Sequence, residues 1–417
     1  MKAPLDQIDV AAAEMPFPPD ALVYSRTDKR GVILAGNAAF QRISGFSWQQ
    51  LIGAPHRIVR NLATPRGVFH LMWHSLQSGE PGVAYIRNTS QDGRFYWVLA
   101  TVLPVADGYL SVQINPTSPM FSTIKGVYAK LGLTEQTDAM TAEASGHRLL
   151  AELATLGYPD YPTFMQAALL AEYRARTTDA AATAFFADGD KVTAGLAATA
   201  THQVELLRSF DRLRDLPTNM RIIASRLEPS GGPITAISDI YSATSGDLFR
   251  EITDFAEGKK SLSRRMQQSF EKATFLRVCA LLQSEAVLRI TSERRDGTAP
   301  DSPSEAAFLG ALCQRYAGQA QAGLVEAGQL AAALSRASSD LRRSMLGLDT
   351  IRVMGRVESG RLGAEGNRIG ATIDQIDVCH SGIVGLLQKI MDSVSLVSAG
   401  VSAIRNRSGS TASIAAK

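Results

Sequence analysis

Residues 56–74 gather the side chains most able to do chemistry. The run holds three of the six histidines, His56, His70 and His74, together with Arg60, Asn61 and Trp73. Neutral imidazole is a common iron ligand, so the histidines open a haem reading. His70 and His74 stand at i, i+4 and share one helix face. A metal pair at that spacing needs a third ligand or an HExxH context, and the sequence offers neither. Arg60 presents a planar fork suited to a diphosphate or a carboxylate. Asn61 can both donate and accept hydrogen bonds. Trp73, with Trp97 further on, offers a flat surface against which an isoalloxazine or a porphyrin can lie. The plainer alternatives are core packing for the two tryptophans and an ion pair for Arg60. His147, His202 and His380 read as helix-surface or interface residues.

Catalytic patterns are missing. The chain has no GxSxG, no P-loop, no glycine-rich dinucleotide fingerprint and no Cys/His pair that reads as nucleophile and base. The expectation is a protein that is not an enzyme. Cys279, Cys313 and Cys379 are odd in number and far apart, which argues against a disulfide framework or a zinc site. They read as reduced, buried thiols of a cytoplasmic protein.

The elements that must position these residues fall into two compositional halves. All three tryptophans precede residue 100, and all three cysteines follow residue 278. In residues 21–115, short apolar runs (ALVYSRTD, GVILAGN, GVAYIRNTS, RFYWVLATVLPV, GYLSVQINP) alternate with turn signals and read as strands. Asp92-Gly93 and Asp107-Gly108 mark hairpins, because both residue types tolerate the positive φ of tight turns. Helical pieces lie between the second and third strands, with Phe69, Trp73 and Leu76 marking the buried face. An antiparallel sheet with helices on one face can enclose a small ligand cavity.

After residue 120 the strand signals almost vanish, and residues 121–405 read as an elongated all-α bundle. Residues 1–20 read as a flexible arm and 406–417 as a disordered tail. Lys plus Arg total 43 against 40 acids, a net charge of +3, which is too balanced to advertise nucleic-acid binding. The N-terminus lacks the continuous apolar stretch of a signal peptide. No window approaches about 20 uncharged apolar residues, so no membrane span is expected.

The run from Asn37 to Val112 resembles the PAS domain of bacterial aerotaxis receptors. The resemblance rests on NAAFQRISGFS, then PHRIVRN, then TPRGVFHLMWHSLQSGEP, then NTSQDGRFYWV. It implies a non-covalently held FAD reporting redox state or respiratory flux. It also puts Arg60 and Trp73 at cofactor-contact positions and makes His56, Asn61 and Trp97 further candidates. Asn61 stands where that family usually has His, and Ala63 where it usually has Asp.

Two helical stretches, 216–252 and 348–390, are weakly similar to each other. Both are distantly similar to the signalling helix of methyl-accepting chemotaxis receptors, at Thr218, Asn219 and Glu228, and at Glu358, Arg361, Gly363, Gly366 and Ile376. That resemblance implies a chemotaxis histidine kinase and coupling protein, or other chemoreceptors, as partners. The heptad-like helices favour a homodimer.

Three functions compete. The first is a redox or oxygen sensor with a chemoreceptor-like output. The second is a cofactor-free adaptor, favoured by Asn61 and Ala63. The third is a haem-based gas sensor.

Overall fold

The computed structural model describes residues 13–15, 17–227, 232–257, 261–295, 303–362 and 366–412. The chain divides into two compact units: residues 1–183 with 274–320, and residues 184–273 with 321–417.

The first unit contains a five-stranded sheet in the order β2-β1-β5-β4-β3. Its strands are β1 Leu22–Asp28, β2 Ile33–Gly36, β3 Gly82–Thr89, β4 Phe95–Val105 and β5 Gly108–Ile114, and every neighbouring pair is antiparallel. Helices α1 (Ala38–Ser44), α2 (Trp48–Leu51) and α3 (Arg66–Gln77) intervene between β2 and β3, with a 3-10 turn at His56–Val59. The two Asp-Gly signals act in different ways. Gly93 adopts φ +87° in the β3–β4 turn, as a tight turn requires. Gly108 is needed for space, because a Cβ there would overlap the carbonyl oxygen of Thr27 on β1.

Side-chain parity along the strands separates two faces. Ser25, Thr27, Ile86, Asn88, Ala100, Val102, Ser111 and Gln113 face a cavity roofed by α3 and the 3-10 turn. The opposite face is covered by α4 (Pro119–Thr137) and α6 (Tyr161–Arg176). There Trp97 meets Phe121 edge-on at 5.4 Å and lies 6.3 Å from Tyr128. On the same side Tyr161 donates to the Val83 carbonyl at 2.9 Å.

Three helices of this unit are held at their N-terminal ends by glutamates remote in sequence. The first N–H groups of a helix have no partner within it, so they take acceptors from elsewhere. α3 follows Pro65, which supplies no side-chain cap. Glu135 of α4 accepts from Arg66 N at 2.7 Å instead. α4 likewise lacks a side-chain cap from Ser118. Glu172 of α6 instead holds the two residues that lead into that helix, accepting from Thr117 N at 2.6 Å and Ser118 N at 2.8 Å, and it also accepts from the Tyr85 hydroxyl at 2.8 Å. α1 has its own cap, Asn37, and Glu293 of α9 (Leu262–Arg295) adds a bond from Ala38 N at 2.8 Å. Where α3 crosses α5 (Ala142–Thr155), a Cβ on Gly67 would lie 2.5 Å from Gly146 N, so only glycine fits.

The second unit is a helical bundle of α7 (Ala180–Leu227), α8 (Pro233–Glu257), α10 (Pro303–Arg361) and α11 (Asn367–Ala412), each counted for its residues within the unit, with the first part of α9. Two hairpins repeat in it. Arg221 pairs with Asp239 at 3.4 Å, and Arg356 with Asp374 at 2.7 Å, each pair 18 positions apart. From 221 to 356 and from 239 to 374 the offset is the same, 135. Buried positions keep it: Leu206/Leu341, Phe210/Met345, Leu213/Leu348, Ile234/Ile369, Leu248/Ile383 and Ile252/Leu387. Matching Met220-Arg221 with Ile351-Arg352, the apolar-Arg pairs near the starts of the two similar stretches, gives an offset of 131, four residues or about one helical turn short of it. The two hairpins pack on each other within one chain: a Cβ on Gly355 would lie 3.5–3.6 Å from Ile237, Ile373 and Met220.

Three expectations about ends and spans change. Residues 13–15 are not a free arm, because Glu14 bridges Phe95 and Met15 N donates to the Phe95 carbonyl at 2.7 Å. Residues 1–12 lie outside the described residues. α11 continues to Ala412 through part of the expected tail, and 413–417 lie outside the described residues. One helix, Asn367–Arg407, is long and apolar enough to cross a membrane by length and composition, contrary to the reading that none is. Its buried residues Ile369, Ile373, Ile376, Ile383 and Leu387 recur at helical spacing and belong to the bundle core. Glu228 and Gly363, which carried part of the chemoreceptor likeness, lie outside the described residues.

A candidate ligand cavity

The sheet's inner face and α3 enclose a cavity of 370 Å³, within the range of small-molecule sites. Phe69, Met72 and Trp73 come from α3 at i, i+3 and i+4, so one helical face supplies an apolar wall. Ile86, Ala100 and Val102 supply the facing wall from the sheet. Trp73 meets Tyr109 edge-on at 4.8 Å and is 36% exposed, which puts it at the rim. Arg30 and Arg57 also line the cavity and reach solvent.

Polar groups converge on this apolar slot. The Arg60 guanidinium lies 4.1 Å over the Phe69 ring. Among the described residues no carboxylate comes within ion-pair distance of it. Arg60, like Arg30 and Arg57, also reaches solvent; partial desolvation, and then the nearby Arg66, lower its pKa. The 3-10 turn is stitched to the sheet by His56 N donating to the Gly31 carbonyl at 2.8 Å and by an Arg60–Asn88 bridge. The His56 ring stacks on Phe40 at 5.7 Å, and its Nε2 lies 3.1 Å from Ser25 Oγ. Burial pushes its pKa down to about 4, so the ring is neutral at pH 7. Gln113 is 3% exposed and donates from Nε2 to Ser111 Oγ at 3.2 Å. Its Oε1 is buried and has no hydrogen-bond partner among the described residues. An unsatisfied buried acceptor costs on the order of 1–3 kcal/mol, so the atom is poised for a donor from a ligand.

Of the residues singled out by sequence, the cavity brings together His56, Arg60 and Trp73. It does not include Asn61 or Trp97. Asn61 is occupied locally, donating to Thr89 Oγ1 at 2.8 Å and accepting from Ala63 N at 2.9 Å. Trp97 stands an odd number of residues from Ala100 on one strand and therefore faces α4. His70 faces α5, where a Cβ on Gly146 would come within 3.0 Å of its ring, and His74 is exposed. Sequence reasoning passed over Asn88, Tyr109, Ser111 and Gln113. The alternation 109, 111, 113 along β5 was the available signal.

Residues 24–116 match the family model described as the PAS fold. This segment of the chain is a PAS domain. The aerotaxis receptor of Escherichia coli (strain K12) is 31% identical over 127 residues, which cover 29% of this chain and 25% of that receptor. The nitrogen fixation regulatory protein of Klebsiella oxytoca is 33% identical over 99 residues, covering 22% of this chain and 20% of that protein. The chain thus spans a quarter or less of these relatives' lengths. Among solved structures, a PAS domain from Colwellia psychrerythraea is similar at 20% identity, covering 23% of this chain and 86% of that one, with a TM-score of 0.22. A light-oxygen-voltage domain is similar at 20% identity over 28% of this chain and 87% of that one, also with a TM-score of 0.22. Outside the PAS domain the chain continues as long helices.

Proposed function

We propose that this chain is a sensory protein whose PAS cavity holds a flavin, FAD, and reports its redox state. The cavity carries the reading. It is an apolar slot with an unpaired guanidinium, Arg60, at one side and an unpartnered buried acceptor, Gln113 Oε1, on the sheet. That donor set suits a flat ring with polar edges and an anionic tail. Phe69, Met72 and Trp73 would exclude water from the ring's faces, and Gln113 Oε1 would accept from a ring N–H. Arg60, with Arg30 and Arg57 at the rim, would hold the phosphates. A bound flavin would supply reversible redox chemistry, and the protein itself performs no catalysis. Similarity to an aerotaxis receptor supports the same reading. We assign the output to the helices, acting in the cytoplasm on a chemotaxis histidine kinase and coupling protein or on other chemoreceptors.

The absorption spectrum of freshly purified protein tests the cofactor. Near-ultraviolet and blue flavin bands are expected, and Arg60→Ala should lower flavin occupancy several-fold. A Soret band would replace the flavin with haem, and a colourless folded protein would leave the adaptor reading. Capture of the kinase and coupling protein by the full chain is expected from the proposed output, and its failure would remove those partners.

A further inference from the structure

β1 has different company on its two sides. Ser25 and Thr27 line the cavity, and Tyr24 and Arg26 alternate with them toward the first turns of α10. There Glu305, 5% exposed, accepts from the Tyr24 hydroxyl. It also accepts from Arg26 Nε at 3.0 Å and Nη2 at 2.6 Å. Near the end of α9, Glu293 takes Ala38 N at 2.8 Å and lies 3.5 Å from Asn37 Nδ2. Asn37 is 1% exposed, and its side chain accepts from Tyr24 N at 2.9 Å and donates to the Leu22 carbonyl at 2.9 Å. It caps α1, whose Phe40 stacks on the His56 ring at the cavity. Glu305 therefore holds the strand that carries the cavity residues Ser25 and Thr27, and Glu293 holds the helix whose Phe40 packs on the cavity residue His56.

We propose that Glu293 and Glu305 form a two-pronged latch that ties the adjoining ends of α9 and α10 to the state of the cavity. The inference rests on the reading that the cavity takes a ligand. A change in volume or hydrogen bonding at Ser25, Thr27 or His56 displaces β1 and α1, and that displacement alters the grip of the two carboxylates. Charge-assisted hydrogen bonds respond steeply to displacement, because both length and angle must stay within narrow limits. A buried charge that loses one partner is costly, which makes the held and released states discrete. Apolar contacts alone would secure the helix ends without that sensitivity.

Amide hydrogen exchange of the full chain tests the latch in peptides covering 284–294 and 305–314. Three states are compared: flavin-free, with FAD, and with FAD reduced by dithionite. Exchange in these peptides should differ several-fold between at least two states. Glu305→Gln, nearly isosteric, should exchange about ten-fold faster at 305–314 in every state, with the flavin bands unchanged and the state difference gone. Tyr24→Phe removes one donor and should give a smaller effect in the same direction. Identical exchange in all states, or a difference that survives Glu305→Gln, overturns the latch. If the wild type binds no flavin, only the cofactor reading fails. Ser111→Trp then supplies the change by filling the cavity, and unaltered exchange at 305–314 in that variant overturns the latch independently.

Discussion

His56 shows how one residue ties the cavity to stability. Its ring lies against Phe40, and desolvation moves its pKa from 6.5 to about 4. Between those values the unfolded chain binds more protons than the folded one, so stability is full above about pH 6.5 and declines as pH falls toward 4. The total effect is up to about 3 kcal/mol. Melting temperatures measured from pH 7 to 4.5 should therefore fall more steeply for the wild type than for His56→Phe, and parallel curves would refute this account. Gln113 makes a second residue-scale case. Gln113→Leu removes the unpaired acceptor, so the empty protein should gain about 1 kcal/mol or more in urea unfolding while flavin affinity falls. A loss of stability in the empty protein would show that Oε1 is not the liability described. His56, Arg60 and Trp73 were legible because they lie in one continuous turn-and-helix run whose spacing can be read directly. Trp97 was not, because its side of the sheet depends on strand parity relative to Ala100. Asn61 was not, because Thr89, which occupies it, is remote in sequence.

Elements in the first unit complete one another through glutamates. Glu172→Ala would leave two backbone N–H groups and the hydroxyls of Tyr85 and Ser118 without their acceptor. A cost of roughly 3 kcal/mol is expected from such buried losses. Denaturant titration should report it as a lower midpoint with the slope unchanged, and a cost below about 0.5 kcal/mol would mean water replaces the carboxylate. In the second unit, α7 and α11 approach through reciprocal glycine–valine contacts. A Cβ on Gly195 would lie 2.7 Å from Val397 Cγ2, and one on Gly400 would lie 2.5 Å from Val192 Cγ2. Gly400→Leu should destabilise the bundle by about 1–3 kcal/mol, read as a lower melting temperature, since overpacking forces the helices apart. Periodicity made the helix at 258–295 legible: of Leu262, Met266, Phe270, Ala273, Leu276 and Ala280, all are buried but the half-buried Leu262. Local caps such as Asp160 before α6 follow ordinary preference. The remote glutamate bonds were not legible, because nothing local to α3 or α4 announces a carboxylate from another helix.

At the scale of the whole molecule, two similar hairpins at an offset of 135 pack as four helices within one chain. If these four helices form the core without a second copy, the melting temperature is independent of protein concentration; a midpoint that rises with concentration is the outcome expected of the homodimer that the heptad-like helices favour. The weak repeat was legible, but its register was not. Arg-bearing helix openings were aligned by residue identity, whereas the constant offset is carried by buried positions whose identities have drifted, such as Phe210 and Met345. The latch has a further consequence, for the order in which the protein is made. Glu305 follows the end of β5 at Ile114 by 191 positions (305 less 114). At roughly 5–20 residues per second, a ribosome delivers it roughly ten to forty seconds after the last strand. Throughout that interval Tyr24 lacks Glu305 and Arg26 has only Asp107, at 3.4 Å, so the sensory domain is finished by a segment translated long after its own sequence ends.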